Sequence, residues 1–216
     1  MTAAPGRLHE LTLVEAERRL LTGSGFQDRV RYTPRLTEPQ CQLEFVVDGH
    51  ALGEQLRTFP VPEPETFGLD PFDMLSVADV ARPEAAREGL EQLAGARERS
   101  DDWPLAPGRL PLYVCPVCAD LGCGAITVEV VRHEGVVTWQ DFRMENGYSV
   151  PDEAIDLSAF GPFHFDAEQH DRALLAPVPR LQALVDDEER TRQRWRQTHG
   201  LRGLLRRWTG KERTGS

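Results

Sequence analysis

Leu110-Pro-Leu-Tyr-Val114, Ala125-Ile-Thr-Val-Glu-Val-Val131 and Val136-Val-Thr-Trp-Gln-Asp-Phe142 are three runs rich in β-branched and aromatic residues. A cysteine-bearing turn separates the first two, and His133-Glu-Gly135 separates the last two. Short runs of this composition bounded by glycine-containing turns read as strands, and so brief a reversal pairs its flanks antiparallel. These residues decide the fold class: an α+β protein around an antiparallel sheet, its central hairpin spanning residues 110 to 142, with helices packed on one face. In this register Ile126, Val128, Val130 and Val137 are the expected core, while Thr127 and Glu129 belong to the more exposed face. Trp139 and Phe142 fall on opposite faces of a regular strand, so at least one is expected inside. Asp141, between them, is placed to cap a turn or line a pocket.

Working outward, Leu11 to Leu21 carries Leu13, Ala16, Leu20 and Leu21 at helical spacing before Thr22-Gly-Ser-Gly25, which predicts a helix. Cys41 to Val47 alternates as a strand. Asp48-Gly49 then gives a strong two-residue hairpin signal, with His50-Ala-Leu52 as a short return strand. Residues 58 to 72 hold Pro60, Pro62, Pro64 and Pro71, whose fixed φ and missing donors make a loop. Pro83 to Ala96 predicts a helix with Pro83 in its first turn, and residues 100 to 108 form a second linker. Phe163-His-Phe-Asp166 reads as a short strand. Asp166 with Gln169 three residues on has the pattern of a capping box opening a helix through Leu175. A final helix begins near Arg180, beyond Pro177 and Pro179. The organisation expected is one α+β domain over residues 1–185 and a basic helical tail over residues 186–216.

A chain of 216 residues is long enough to bury a full core. It has no apolar run near the roughly 18 residues of a membrane span. Its Met1-Thr-Ala-Ala-Pro-Gly-Arg7 start lacks the apolar centre of a signal peptide, so the expected location is the cytoplasm. Lys211 is the only lysine among 25 basic residues, a bias expected of a GC-rich bacterial genome. Net charge is −10, yet residues 190 to 213 set nine basic side chains against Glu212 for a local +8, which leaves −18 on the rest. An acidic body repels nucleic acid and anionic membrane, so nucleic acid is not the expected partner except through the basic tail 190–213. A basic protein partner suits the body. The tail interleaves Trp195, Leu201, Leu204, Leu205 and Trp208 with arginines, a pattern that fits docking on its own acidic body or on an acidic surface.

The cysteine turn is the candidate site. Three of the four cysteines, Cys115, Cys118 and Cys123, fall within nine residues. Cys115-Pro-Val-Cys118 has the spacing that aims two sulfurs at one zinc, and Gly122 and Gly124 let Cys123 curl back as a third ligand. Cys41 and His133 are the leading candidates for the fourth position, with His50, His164 and His170 behind them, since structural zinc takes four sulfur or imidazole ligands. Two other chemistries compete. The cysteines could be small buried residues at a strand end. They could also be a redox pair, although the strand that follows, Ile126 to Val131, provides no helix N-terminus to activate a thiolate. Of the remaining polar groups, His164, Asp166, Glu168 and His170 resemble a ligand set, but Asp166 is explained as a helix cap and His170 as an exposed first-turn residue. No nucleophile elbow and no phosphate-binding loop is complete.

The aromatic-x-Cys pattern at Tyr113 to Cys115, the acidic residue before Gly122-Cys-Gly124 and the hairpin closing in Trp139-x-Asp141-Phe142 resemble an uncharacterised group of bacterial proteins over residues 110 to 146. That resemblance implies a shared structural module and carries no established activity. The function expected is therefore a non-catalytic binding or regulatory protein, its hairpin anchored by a cysteine site and its acidic surface offered to a basic partner such as a toxin. The alternative is an enzyme that uses the cluster as redox thiols or as a catalytic zinc site with an open position.

Overall fold

The computed structural model describes residues 7–18, 21–22, 35–36, 40–60, 75–99, 104–115, 119–146 and 155–209. Its centre is the expected antiparallel set of three long strands, β7 (Arg109–Val114), β8 (Ala125–His133) and β9 (Val136–Glu145). Leu110 lies opposite Val128, and His133 opposite Val136. The β8–β9 turn puts Glu134 at φ 48° and Gly135 at φ 79°, the left-handed pair that a two-residue hairpin requires. Strand β6 (Leu75–Ser76) extends this sheet beside β7, while β10 (Ile155–Asp156) and β11 (Phe163–Asp166) pair with different stretches of β9.

A second ladder corrects the reading of the N-terminal segment. Residues 11 to 18 form a strand, β1 (Leu11–Arg18), paired along its whole length with β4 (Gln40–Val47). Leu13 and Ala16 fit a helical period. Thr12 and Val14, however, favour a pleated backbone, and the long-range pairing with β4 outweighs local spacing. Leu11, opposite Val47, is fully buried. Asp48-Gly49 makes the expected tight turn at φ 51° and 81° into β5 (His50–Ala51). The chain then winds directly into a helix the sequence did not announce, α1 (Leu52–Thr58). The segments β2 (Leu21–Thr22) and β3 (Arg35–Leu36) pair with each other. Two single bridges join the sheets, Gln42 with Asp79 and His9 with Phe165. Asp79 lies just beyond β6 and His9 just before β1, so the two separate sheets are closed into a ring only through these flanking residues.

That ring closes around aromatic side chains. Phe45, Trp139 and Phe165 are fully buried, and their rings meet edge to face, with centroids 5.8 Å apart for Phe45–Trp139 and 5.2 Å for Trp139–Phe165. A β-bulge decides how β9 contributes. Opposite the step from Thr127 to Glu129, β9 carries one extra residue, with Asp141 at φ 51°. The extra residue reverses the alternation, so Trp139 and Phe142 are both fully buried rather than divided between faces. Ile126, Val128 and Val137 lie in the core as expected, but Val130 is only half-buried. Thr127 is fully buried, against expectation, because Arg109 and the bulge cover that face.

Helix α2 (Pro83–Leu93) opens with its proline in the first turn and buries Ala86, Leu90 and Leu93 on one side. Asp166 caps α3 (Ala167–Leu175), accepting from the Gln169 amide at 3.0 Å. The Gln169 side chain does not complete a capping box. It accepts from the Leu11 N–H and donates to the Leu11 carbonyl, which fastens α3 to β1. Helix α4 (Val178–Thr209) buries Leu181 and Val185 and then leaves every side chain from 186 to 196 exposed, its backbone remaining helical through Gly200 and Gly203. The molecule is a mixed α+β fold of antiparallel sheets and packed helices. Among the described residues no helix is long and apolar enough to cross a membrane. Of the two expected linkers, residues 61–72 and 100–103 lie outside the described set, and residues 104–108 form a turn into β7.

Candidate site at the cysteine turn

The turn between β7 and β8 is tied by its own backbone. Cys115 N–H donates to the Gly124 carbonyl at 3.0 Å, Ala119 N–H to the Cys115 carbonyl at 2.9 Å, and Cys123 N–H to the Asp120 carbonyl at 3.1 Å. The Asp120 carboxylate accepts from Gly122 N–H at 2.8 Å, and Ala119 takes the left-handed φ of 50° that turns the chain back. Two of the predicted ligands are thereby brought together: Cys115 Sγ and Cys123 Sγ are 3.4 Å apart, the first buried and the second exposed. Cys118 lies outside the described residues. Among the described residues no group of three or more His, Cys, Asp or Glu side chains is placed to share a metal.

None of the distant candidates is carried to this turn. His133 ends β8 and is exposed. Eight steps of about 3.3 Å along the strand put it roughly 26 Å from Ala125, at the opposite end of the hairpin. Cys41 sits opposite Glu17 on β4. Leu43 N–H bonds the Ala78 carbonyl and Gln42 bridges Asp79, so β4 carries Cys41 past Asp79 and away from Leu75, the residue that pairs with Val114. His50 is exposed at the β4–β5 turn, and His164 Nδ1 meets Thr138 Oγ1 at 2.9 Å on the β9–β11 ladder.

His170 is the largest correction. It is fully buried rather than exposed. Trp139 Nε1–H donates to its Nε2 at 3.0 Å, which assigns the ring proton to Nδ1, and Nδ1–H donates to Asp171 Oδ1 at 2.8 Å. Both ring nitrogens are occupied, so no lone pair is left for a metal. Burial pulls its pKa down from 6.5 to about 4, against the opposing pull of Asp171. Arg132 holds Asp171 through two hydrogen bonds of 2.7 and 3.0 Å. Although its partial burial acts the other way, the bonds from Arg132 and His170 keep the Asp171 carboxyl below the usual range.

Two more buried polar groups lie where no motif signalled them. Arg109, a cation in an otherwise apolar strand, donates from Nε to Thr127 Oγ1 at 2.9 Å and from Nη1 to Asp141 Oδ2 at 2.8 Å, and forms an ion pair with buried Glu145. Burial lowers its pKa while Glu145 and Asp141 oppose that shift. Glu44 accepts from Tyr113 Oη–H and from Gly53 N–H. Both groups have their partners and knit strands together, so neither presents a reacting atom to solvent. Asp141, expected to cap a turn or line a pocket, instead binds Arg109 and Arg143. No protein-family model matches the chain, and searches of curated proteins and of solved structures return no match.

Proposed function

We propose that the chain is a non-catalytic binding or regulatory protein of the cytoplasm, its β7–β8 turn held by zinc on Cys115, Cys118 and Cys123. The observation that carries this reading is the 3.4 Å between the Cys115 and Cys123 sulfurs. Zn–S bonds of about 2.3 Å in a tetrahedron set sulfurs roughly 3.8 Å apart, whereas a disulfide needs about 2.05 Å. The separation of 3.4 Å is nearer the first and is also the length of a thiol–thiol hydrogen bond. The fourth position then falls to water, to a partner or to a residue beyond the described ones, since His133 and Cys41 are held elsewhere.

A basic protein partner is suggested by the charge of −18 outside residues 190 to 213; a shallow depression of about 390 Å³ between α2 and α4 sets Glu84 and Glu188 beside Arg82 and the already paired Glu88. Capturing such a partner, whether to neutralise a toxin or to regulate an enzyme, would use that face. The same pair of sulfurs favours one second reading, in which Cys115 and Cys123 close reversibly into a disulfide. Elemental analysis of protein purified without added metal separates the two. About one zinc per chain, lost in Cys115→Ser and Cys123→Ser, is the expected result. Absence of metal together with two thiols that disappear on mild oxidation would establish the redox reading instead.

A further inference from the structure

Charge and apolar residues are ordered along α4. After Val185, its last buried residue among those described, come Asp186, Asp187, Glu188 and Glu189; from residue 190 to the end of the helix at Thr209 there are seven arginines and no carboxylate. Every side chain from 186 to 196 is exposed, a run of about three turns, so no side of the helix is covered by the body there. Trp195 is 61% exposed, more than any other large apolar side chain among the described residues. Farther on, where the backbone remains helical, Leu201, Leu204, Leu205 and Trp208 recur at i, i+3, i+4 and i+7. That spacing puts the four positions on one side of a helix, and leaves positions 202, 206 and 207, all arginine, on the others.

An apolar row on a helix that leaves its own body calls for a cover, and the arginines around it select an anionic one. A second copy of the chain would bring like charge. Nucleic acid would answer the arginines and leave the apolar row in water. An anionic lipid surface answers both, since the apolar side of such a helix sinks to the acyl boundary while its arginines stay among the phosphates. The acidic body does not forbid this. At about 1.5 Å per residue Trp195 lies roughly 15 Å along the axis from Val185 and Thr209 roughly 36 Å, whereas exposed charges are screened beyond about 8 Å at physiological salt. We infer that residues 190–209 of α4 anchor the protein to anionic lipid surfaces, with the distal turns 201–209 in the headgroup layer and the acidic turn 186–189 held away from it. The inference rests on α4 and does not depend on a metal in the cysteine turn.

The test is co-sedimentation of the full chain with vesicles of phosphatidylcholine and phosphatidylglycerol in equal parts, and with vesicles of phosphatidylcholine alone. Binding to the anionic vesicles should be at least about tenfold tighter, since each arginine near such a surface strengthens attachment roughly fivefold, and it should weaken as salt is raised. Arg192→Gln, Arg196→Gln and Arg202→Gln together should remove most of that preference. Leu204→Gln with Leu205→Gln leaves the charge unchanged and should also weaken binding by at least about tenfold, because the apolar side no longer enters the lipid. Both variants should melt with the native protein, which separates lost anchoring from a lost fold. Equal binding to the two vesicles or binding to neither would overturn the inference. So would full retention of binding in the leucine variant, the mark of a polyanion site such as nucleic acid would use, or a lowered melting midpoint in either variant, which would place the helix on its own body.

Discussion

At His170 a single hydrogen-bond chain links the core to the surface: Trp139 to His170 to Asp171 to Arg132. The imidazole is neutral in the folded protein, and burial holds its pKa near 4 against 6.5. The unfolded chain therefore takes up the proton first as pH falls, and folding loses free energy between about pH 6.5 and pH 4. The stabilisation is complete above pH 6.5. At about 1.36 kcal/mol per pKa unit the loss is on the order of 3 kcal/mol, and below pH 4 this group adds no further slope. Urea denaturation at pH 7, 5.5 and 4 should show that decline in the native protein and a shallower one in His170→Gln, which cannot be protonated. Parallel declines in both proteins would show that the carboxylates alone set the acid sensitivity. The helical spacing of α3 gave no hint of this arrangement, because burial of a first-turn residue is set by β9 and β11 packing on it rather than by its neighbours in sequence.

At the scale of elements, the bulge at Asp141 and the guanidinium of Arg109 act as one device. The extra residue turns Trp139 and Phe142 to the same side, and the left-handed Asp141 places its carboxylate against Arg109. Arg109→Ala would leave buried Glu145 with the Ala106 N–H but no cation and should cost about 3–5 kcal/mol in chemical denaturation, as loss of one partner of a buried pair does. Arg109→Lys keeps the charge without the fork and should recover only part of that stability. A loss below about 1 kcal/mol in Arg109→Ala would mean the network contributes little. The three central strands, the Asp48-Gly49 turn, α2 and the Asp166 cap were legible because each has a local signal: β-branched runs, a left-handed turn pair, a proline start, a side-chain acceptor. Strand β1 was not, since Leu13 and Ala16 satisfy a helical period and only the distant β4 selects the pleat. The bulge was equally hidden, because nothing local marks Asp141 for a positive φ. The inward face of Thr127 follows from that bulge and could not be read without it.

Across the whole molecule, a ring of strands packed with helices carries two features on its outside: the cysteine turn and the basic end of α4. The last buried side chains described on α4 are Leu181 and Val185, and residues 186 to 196 are exposed. Replacing exposed Arg190, Arg192 and Arg196 by serine should thus leave the melting midpoint unchanged, whereas a clear drop would show the basic segment docked on its own acidic body. For the site, the cluster of Cys115 and Cys123 was legible from spacing. The remoteness of His133 and Cys41 was not, because only the register of β8 and β4 fixes where each strand ends. The proposed function depends most on what those thiols hold. X-ray absorption at the zinc edge on protein purified without added metal addresses it directly. The expected spectrum is fitted by three sulfurs at about 2.3 Å, with sulfur scattering reduced in Cys123→Ser. A zinc bound only through nitrogen and oxygen, or protein that contains no zinc, would contradict the assignment.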